Sequence, residues 1–195
     1  MNITVLTKTY ENLPICEGEV LRYMGQKQPN EEVSALLKVC LTESQKVFSY
    51  KVCYCKLPVK ISGNVCDFGV FSLTSKNLAQ NLNGANNVIL FAATAGVGID
   101  RLIAKYNKIS PSKAVVFQAI GTEAAEAVCN AFCQDIKTEF GETKPRFSAG
   151  YGDLPLDLQK QIFALLSPEK NIGLTLNESL LMSPSKSVTA FVGLV

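Results

Sequence analysis

The sequence predicts an α+β fold, and three observations carry that expectation. Helical and extended patterns follow one another in mixed order, without the strand–helix alternation of a regular βαβ series. The segment "NNVILFAATAG", beginning at residue 86, is apolar almost throughout, as a strand buried on both faces should be. Between such runs lie amphipathic stretches that open on capping residues and close on glycine or proline. A chain of 195 residues fits one domain, or two tightly joined lobes.

The elements follow in order. After a short apolar start, "NEEVSALLKVCLTESQKVF" from residue 30 reads as a helix. Asn30 can cap it, Glu31 and Glu32 suit its first turn, and Val33, Leu36, Leu37, Cys40 and Leu41 form one stripe. "YKVCYCKLPVKI" alternates loosely as a strand that Pro58 ends or places at an edge. "DFGVFSLTS" predicts a further strand, and "SKNLAQNLNG" a short helix between a Ser75 cap and Gly84. The apolar strand at 88–94 then enters the amphipathic helix "GIDRLIAKYNKI", with Ile99, Leu102, Ile103 and Tyr106 inward.

A long helix follows from Ser110, its cap, and Pro111, which suits a first helical position. Small residues around 124–131 permit close packing along it. "PLDLQKQIFALLSP" is helical, with Leu158, Ile162, Leu165 and Leu166 inward. The tail predicts two short strands, around "IGLTL" and "SVTAFVGL".

Composition narrows the chemistry. The sequence has no histidine, which removes Ser-His and Cys-His triads and every imidazole metal site. General acid–base work would fall to carboxylates, Lys, Tyr or Cys. The net charge is +2 with basic residues scattered, so neither a basic arm nor nucleic-acid binding is expected. The apolar run at 88–99 is shorter than the roughly 20 residues a membrane helix needs. With no signal-peptide pattern at the N-terminus, a cytoplasmic protein is expected. Seven cysteines then read as thiols in a reducing compartment. Cys53 and Cys55 share a strand face and Cys129 and Cys133 a helix face, without zinc-type spacing.

Two stretches could hold a ligand. "TAGVGIDR", 94–101, passes from a strand through Gly-x-Gly into a helix, where N–H groups can meet a phosphate. Arg101 stands where a dinucleotide fingerprint has its third glycine, and no Walker lysine follows. A turn that needs flexible residues explains the same pattern. The second stretch is "RFSAGYGDLPLDLQ", 146–159. Arg146 can grip a carboxylate with a two-pronged guanidinium. Gly150 lets backbone approach a ligand, Tyr151 can stack on a base or face a cation, and Asp153 offers a negative charge or a cap for the next helix. S-adenosylmethionine carries a carboxylate, a sulfonium and an aromatic base. A loop in which Arg146 pairs with Asp153 is the structural alternative.

The chain resembles the activation (reactivation) domain of cobalamin-dependent methionine synthase, in particular its free-standing short form. Arg146, Gly150 and Tyr151 match the family's Arg-x-x-x-Gly-Tyr signature, and the continuation to the final hairpin looks like the family's own. The segment "AIGTEAAEAVCNAFCQDI" is similar to its small-residue helix, with Glu126 at an acidic position facing the functional cleft. The likeness is strongest over 86–195 and loose over 15–85. Two features of the full-length enzymes have no counterpart: an N-terminal aspartate that contacts the cofactor, and a tyrosine beyond the last strand.

The resemblance implies a single domain over 1–195, with a mostly antiparallel twisted sheet flanked by helices. It implies a module that binds S-adenosylmethionine while a separate methionine synthase, lacking its own activation domain, carries the cobalamin. An electron would come from flavodoxin or another donor. Arg146 would bind the methionine carboxylate, and Ser148, Ala149 and Gly150 would supply backbone to the adenosine pocket. Tyr151 would pack beside the ligand, with Asp153 near it, and Glu126 would help hold the cation or the corrinoid edge. No side chain need act as acid, base or nucleophile, so the chain would be an accessory component rather than a complete enzyme. Two alternatives stay open: a docking protein that does not bind S-adenosylmethionine, and a stand-alone methyltransferase built on the Gly96–Gly98 turn.

Overall fold

The computed structural model describes residues 3–195. Its centre is a four-stranded antiparallel sheet in the order β1-β2-β6-β9. These strands are Leu6–Tyr10, Tyr50–Pro58, Asn87–Thr94 and Ser187–Leu194. β6 lies between two partners, Phe91 facing Tyr54 on β2 and Ala190 on β9. Alternation with period two sends Ile89, Phe91 and Ala93 to one face and Val88, Leu90 and Ala92 to the other. Both faces are covered, so the strand is apolar without a break.

One face is covered by α5 (Pro111–Phe140), whose Ala124, Val128, Phe132 and Ile136 pack on Val52, Ile89 and Phe91. Gly, Ala and Cys between 119 and 129 keep the helix close to the strands. α1 (Glu17–Tyr23), α2 (Glu31–Gln45) and α4 (Val97–Ile109) form a helical cluster against the first half of α5, around Val20, Leu37, Ile99 and Phe117. On the opposite face lie α3 (Lys76–Asn81), α6 (Leu158–Leu166) and α7 (Pro168–Ile172). A three-stranded sheet joins them, formed by β3 (Lys60–Ser62), β4 (Val65–Asp67) and β5 (Ser72–Thr74).

The α+β reading and the antiparallel sheet hold. Asn30 and Ser75 cap α2 and α3 through their side chains, accepting from the N–H groups of Val33 and Leu78. Cys53 and Cys55 share the face under α6. Other expectations need correction. Ser110 stands at the start of α5 but makes no side-chain cap. The stretch 67–75 is not one strand: it leaves β4 at Asp67, turns where Phe68 N–H donates to the Phe71 carbonyl, and returns as β5, Ser72–Thr74, paired with β4. The tail strands also differ from the expected pair. "SVTAFVGL" is an eight-residue strand of the main sheet, while Thr175–Leu176 (β7) pairs only with Met182–Ser183 (β8). β1 and α1 were not expected.

β9 would be a bare edge, but residues 142–147 cover it. Lys144 N–H donates to the Gly193 carbonyl at 2.9 Å, and Phe147 exchanges both backbone bonds with Phe191. That covering segment carries Arg146, so the open hydrogen bonds of a sheet edge position the first functional candidate.

Candidate functional site

Arg146 lies between the two anchor points on β9 and reaches over α5. Its guanidinium donates to the Glu126 carboxylate and, at 2.8 Å, to the Asn130 side-chain oxygen. Glu126 and Asn130 stand four apart on α5 and so share a face. Their side chains therefore meet the same guanidinium. The arginine is 24% and the glutamate 36% exposed, which places the pair at the mouth of a cleft and not inside the core. Arg146 pairs with Glu126 and Asn130, not with Asp153 as the structural alternative had it.

Beside the pair is an open groove of about 500 Å³ whose lining includes Asn130, Cys133, Lys137, Lys144 and Arg146. Burial pushes the Cys133 thiol up, while the neighbouring guanidinium pulls it back. Cys129, deeper on the same helix, is pushed up to about 12 by burial. Both are protonated at neutral pH, so they are poor nucleophiles.

The loop after Arg146 is a closed turn. Gly150 N–H donates to the Leu154 carbonyl at 2.9 Å, and Tyr151 N–H to that of Ser148 at 3.2 Å. Gly150 sits at φ +85°, in the region that favours glycine, and a Cβ there would lie 3.1 Å from Leu156. Leu154 is buried and pins the turn to the core. Ala149 packs against the same cluster, half-buried. Tyr151 points outward, 70% exposed, its ring edge-on to Phe147 at 5.8 Å. An exposed aromatic ring is a surface on which a flat group can lie.

Asp153 does something the sequence reading did not give it. It caps no following helix; its carboxylate caps α3 across the molecule. It accepts from the Ser75 hydroxyl at 2.5 Å, Lys76 N–H at 2.7 Å and Asn77 N–H at 3.2 Å. These bonds hold its pKa below the ordinary aspartate range, the Ser75 hydroxyl contributing most. Both oxygens are engaged, and Asp153 ties the loop down.

The Gly96–Gly98 turn is also structural. A Cβ on Gly98 would run into the Val47 carbonyl, and one on Gly96, at φ +89°, would stand 2.9 Å from Ser49. The two glycines let α4 start against the segment between α2 and β2.

Sequence reasoning missed Glu123 and Tyr50. Glu123 lies one turn before Glu126 on α5 and is only 7% exposed. Burial raises its pKa, an effect reinforced by Glu19 and Glu126 and opposed by the Cys16 N–H and Arg22. The Tyr50 hydroxyl, on β2, is buried without a hydrogen-bond partner. The available signal was a glutamate set among alanines where α5 packs most closely.

Comparison with known proteins bears on the family and the fold. A family model described as the activation domain of vitamin B12 dependent methionine synthase matches residues 76–194. A crystal structure described as that of the MetH reactivation domain bound to AdoHcy superposes with a TM-score of 0.78 at 14% identity. The match covers 98% of this chain and 78% of that one. No curated protein matches the chain.

Proposed function

Because this chain belongs to the family of activation domains of vitamin B12 dependent methionine synthase, we propose that it is a free-standing reactivation module. On this reading it binds S-adenosylmethionine and presents the methyl group to reduced cobalamin on a separate synthase. The observation that carries the reading is Arg146, held on a signature loop and aimed across α5 beside Glu126 and Asn130. The structurally similar reactivation domain is described as bound to AdoHcy, the demethylated form of that ligand.

The residues fit such a ligand. A guanidinium has five N–H donors, and two bonds to α5 leave others for a carboxylate. Glu126 beside it favours the ammonium and sulfonium charges. Gly150 keeps side-chain bulk off the loop, and Tyr151 offers a ring face for the base. When bound, S-adenosylmethionine supplies an electrophilic methyl group. This chain's residues grip and orient the ligand, and fixing two reactants in register can replace several kcal/mol of orientational entropy. On this reading the partner holds the cobalamin and supplies any imidazole to cobalt, since this sequence has no histidine.

One observation favours a second reading. The guanidinium already has a carboxylate partner, as it would in a docking protein that keeps the motif without using it. Calorimetric titration with S-adenosylhomocysteine separates the two. Micromolar binding that disappears in Arg146→Ala supports the ligand module, whereas no heat, alone or with a methionine synthase present, overturns it.

A further inference from the structure

The groove beside Arg146 is charged beyond what the fold requires. Its walls are α5 and the segment that covers β9, and it holds about 500 Å³. Lys137, Lys144 and Arg146 line it, and no carboxylate does. Arg146 has Glu126 as a counter-charge, but Lys137 and Lys144 form no ion pair among the described residues. Lys137 also suits the negative C-terminal end of α5, which accounts for one of the two. The chain as a whole carries only +2, so this is a local concentration of charge.

Local structure holds these groups in place. Lys144 N–H donates to the Gly193 carbonyl at 2.9 Å, and its stem packs over Gly193, where a Cβ would stand 3.0 Å from it. Asn130, Gln134 and Lys137 are spaced i, i+4, i+7 and share one face of α5. The Gln134 amide and the Thr143 hydroxyl add neutral hydrogen-bonding groups to the lining.

The charge selects the occupant. An exposed ion pair is individually weak, so one small anion would be held poorly in so open a groove. Several carboxylates on one segment add their attractions and steer its approach. No Phe, Tyr or Trp lines the groove, so the bases of a nucleic acid would have nothing to stack on. An acidic protein segment meets both conditions. Arg146 tells whose segment it is, because it lines the groove and, on the functional reading above, holds the ligand. Whatever fills the groove therefore stands beside the methyl donor, where the protein that carries cobalamin has to be. We propose that the groove docks an acidic segment of the cobalamin-bearing synthase, with Lys137 and Lys144 as its anchors. This rests on the functional reading and adds to it the docking surface and the charge of the partner.

The test is biolayer interferometry of the unaltered chain, K137E/K144E and K137R/K144R on a cobalamin-dependent methionine synthase that lacks an activation domain. Melting curves confirm that each variant folds, and K137E alone, at an exposed position, carries the test should K144E disturb β9. In dilute salt the charge reversal should slow association by about tenfold, while the arginine pair keeps the unaltered rate. The difference should vanish in about 1 M salt, where charges act over only about 3 Å. The reversal should weaken S-adenosylhomocysteine binding, read by calorimetry, less than it slows association. Equal association of the unaltered chain and the reversal in dilute salt overturns the docking site, as does no association by the unaltered chain. So does a reversal that slows only the reductant-dependent return of cobalamin absorbance, which would give the groove to the electron donor. Binding of a single-stranded oligonucleotide that the reversal abolishes would likewise overturn it. The ligand module survives each of these results if the unaltered chain binds S-adenosylhomocysteine, and falls only if it does not.

Discussion

Arg146 has a structural partner and a ligand role in prospect, and the two make different demands. Its pair with Glu126 is open enough that water can replace either partner, and pairs of that kind contribute up to about 1 kcal/mol. Arg146→Ala should therefore remove S-adenosylhomocysteine binding while lowering the melting temperature by no more than about 4 °C. A collapse of stability would instead make the arginine structural. Asp153 is its opposite, a signature-loop residue used for the fold. Its folded pKa is depressed, so the stability it adds is fully present above the unfolded value of about 3.9 and is lost as pH falls through the lower folded value. Asp153→Asn should melt earlier at neutral pH. The gap between variant and parent should narrow on acidification below pH ~4. A gap that stays constant from neutral to acid would show that the carboxylate's charge is not what caps α3.

At the scale of elements, the β6–α4 turn shows how a ligand-like pattern can be spent on packing. Gly98→Ala would drive a methyl into the Val47 carbonyl, a clash with backbone that no rotamer relieves. Overpacking of this kind costs about 1–3 kcal/mol, and urea unfolding should show a loss of that size. If the variant kept its stability and lost ligand binding instead, the turn would belong to the site. The same turn bears on what could be read beforehand. Local signals were legible: the Asn30 and Ser75 caps, Pro111 at the start of α5, and the unbroken apolar run of β6 all act within a few residues. α1 was hidden because seven residues with one buried side chain show no periodicity. β1 was hidden because its strand is almost wholly exposed at a sheet edge. The Asp153 cap spans 78 residues to Ser75, and Glu123 is buried only once α1 and the residues before it close over α5. Arg146, Gly150 and Tyr151 were readable as a motif, but their joining to Glu126 and Asn130 needs β9 to hold the loop.

For the whole molecule, the decisive feature is the exposed apolar surface on the loop that follows Arg146. Tyr151 and Leu156 are both exposed on it, flanking a turn pinned by Leu154. A standard interface takes about 800 Å² from each partner. That is a small share of this chain's 10309 Å², so docking at this loop is geometrically modest. The chain brings no imidazole, and among its described residues no group of His, Cys, Asp or Glu side chains could hold a metal ion. Under the proposed function the cobalt must therefore be brought to the cleft by the partner. The experiment is reconstitution with a cobalamin-dependent methionine synthase that lacks an activation domain and has been inactivated by oxidation. With a one-electron reductant and S-adenosylmethionine present, adding this chain should restore turnover and return the cobalamin absorbance to that of the methylated form. Omitting any one component, or substituting Arg146→Ala, should leave the partner inactive. Leu156→Asp should weaken restoration more than it weakens the affinity for S-adenosylhomocysteine, because the side chain is exposed on the loop and makes no bond to Arg146. Restoration at the same rate without this chain, or with the Arg146 variant, would mean that the signature loop presents nothing to cobalt.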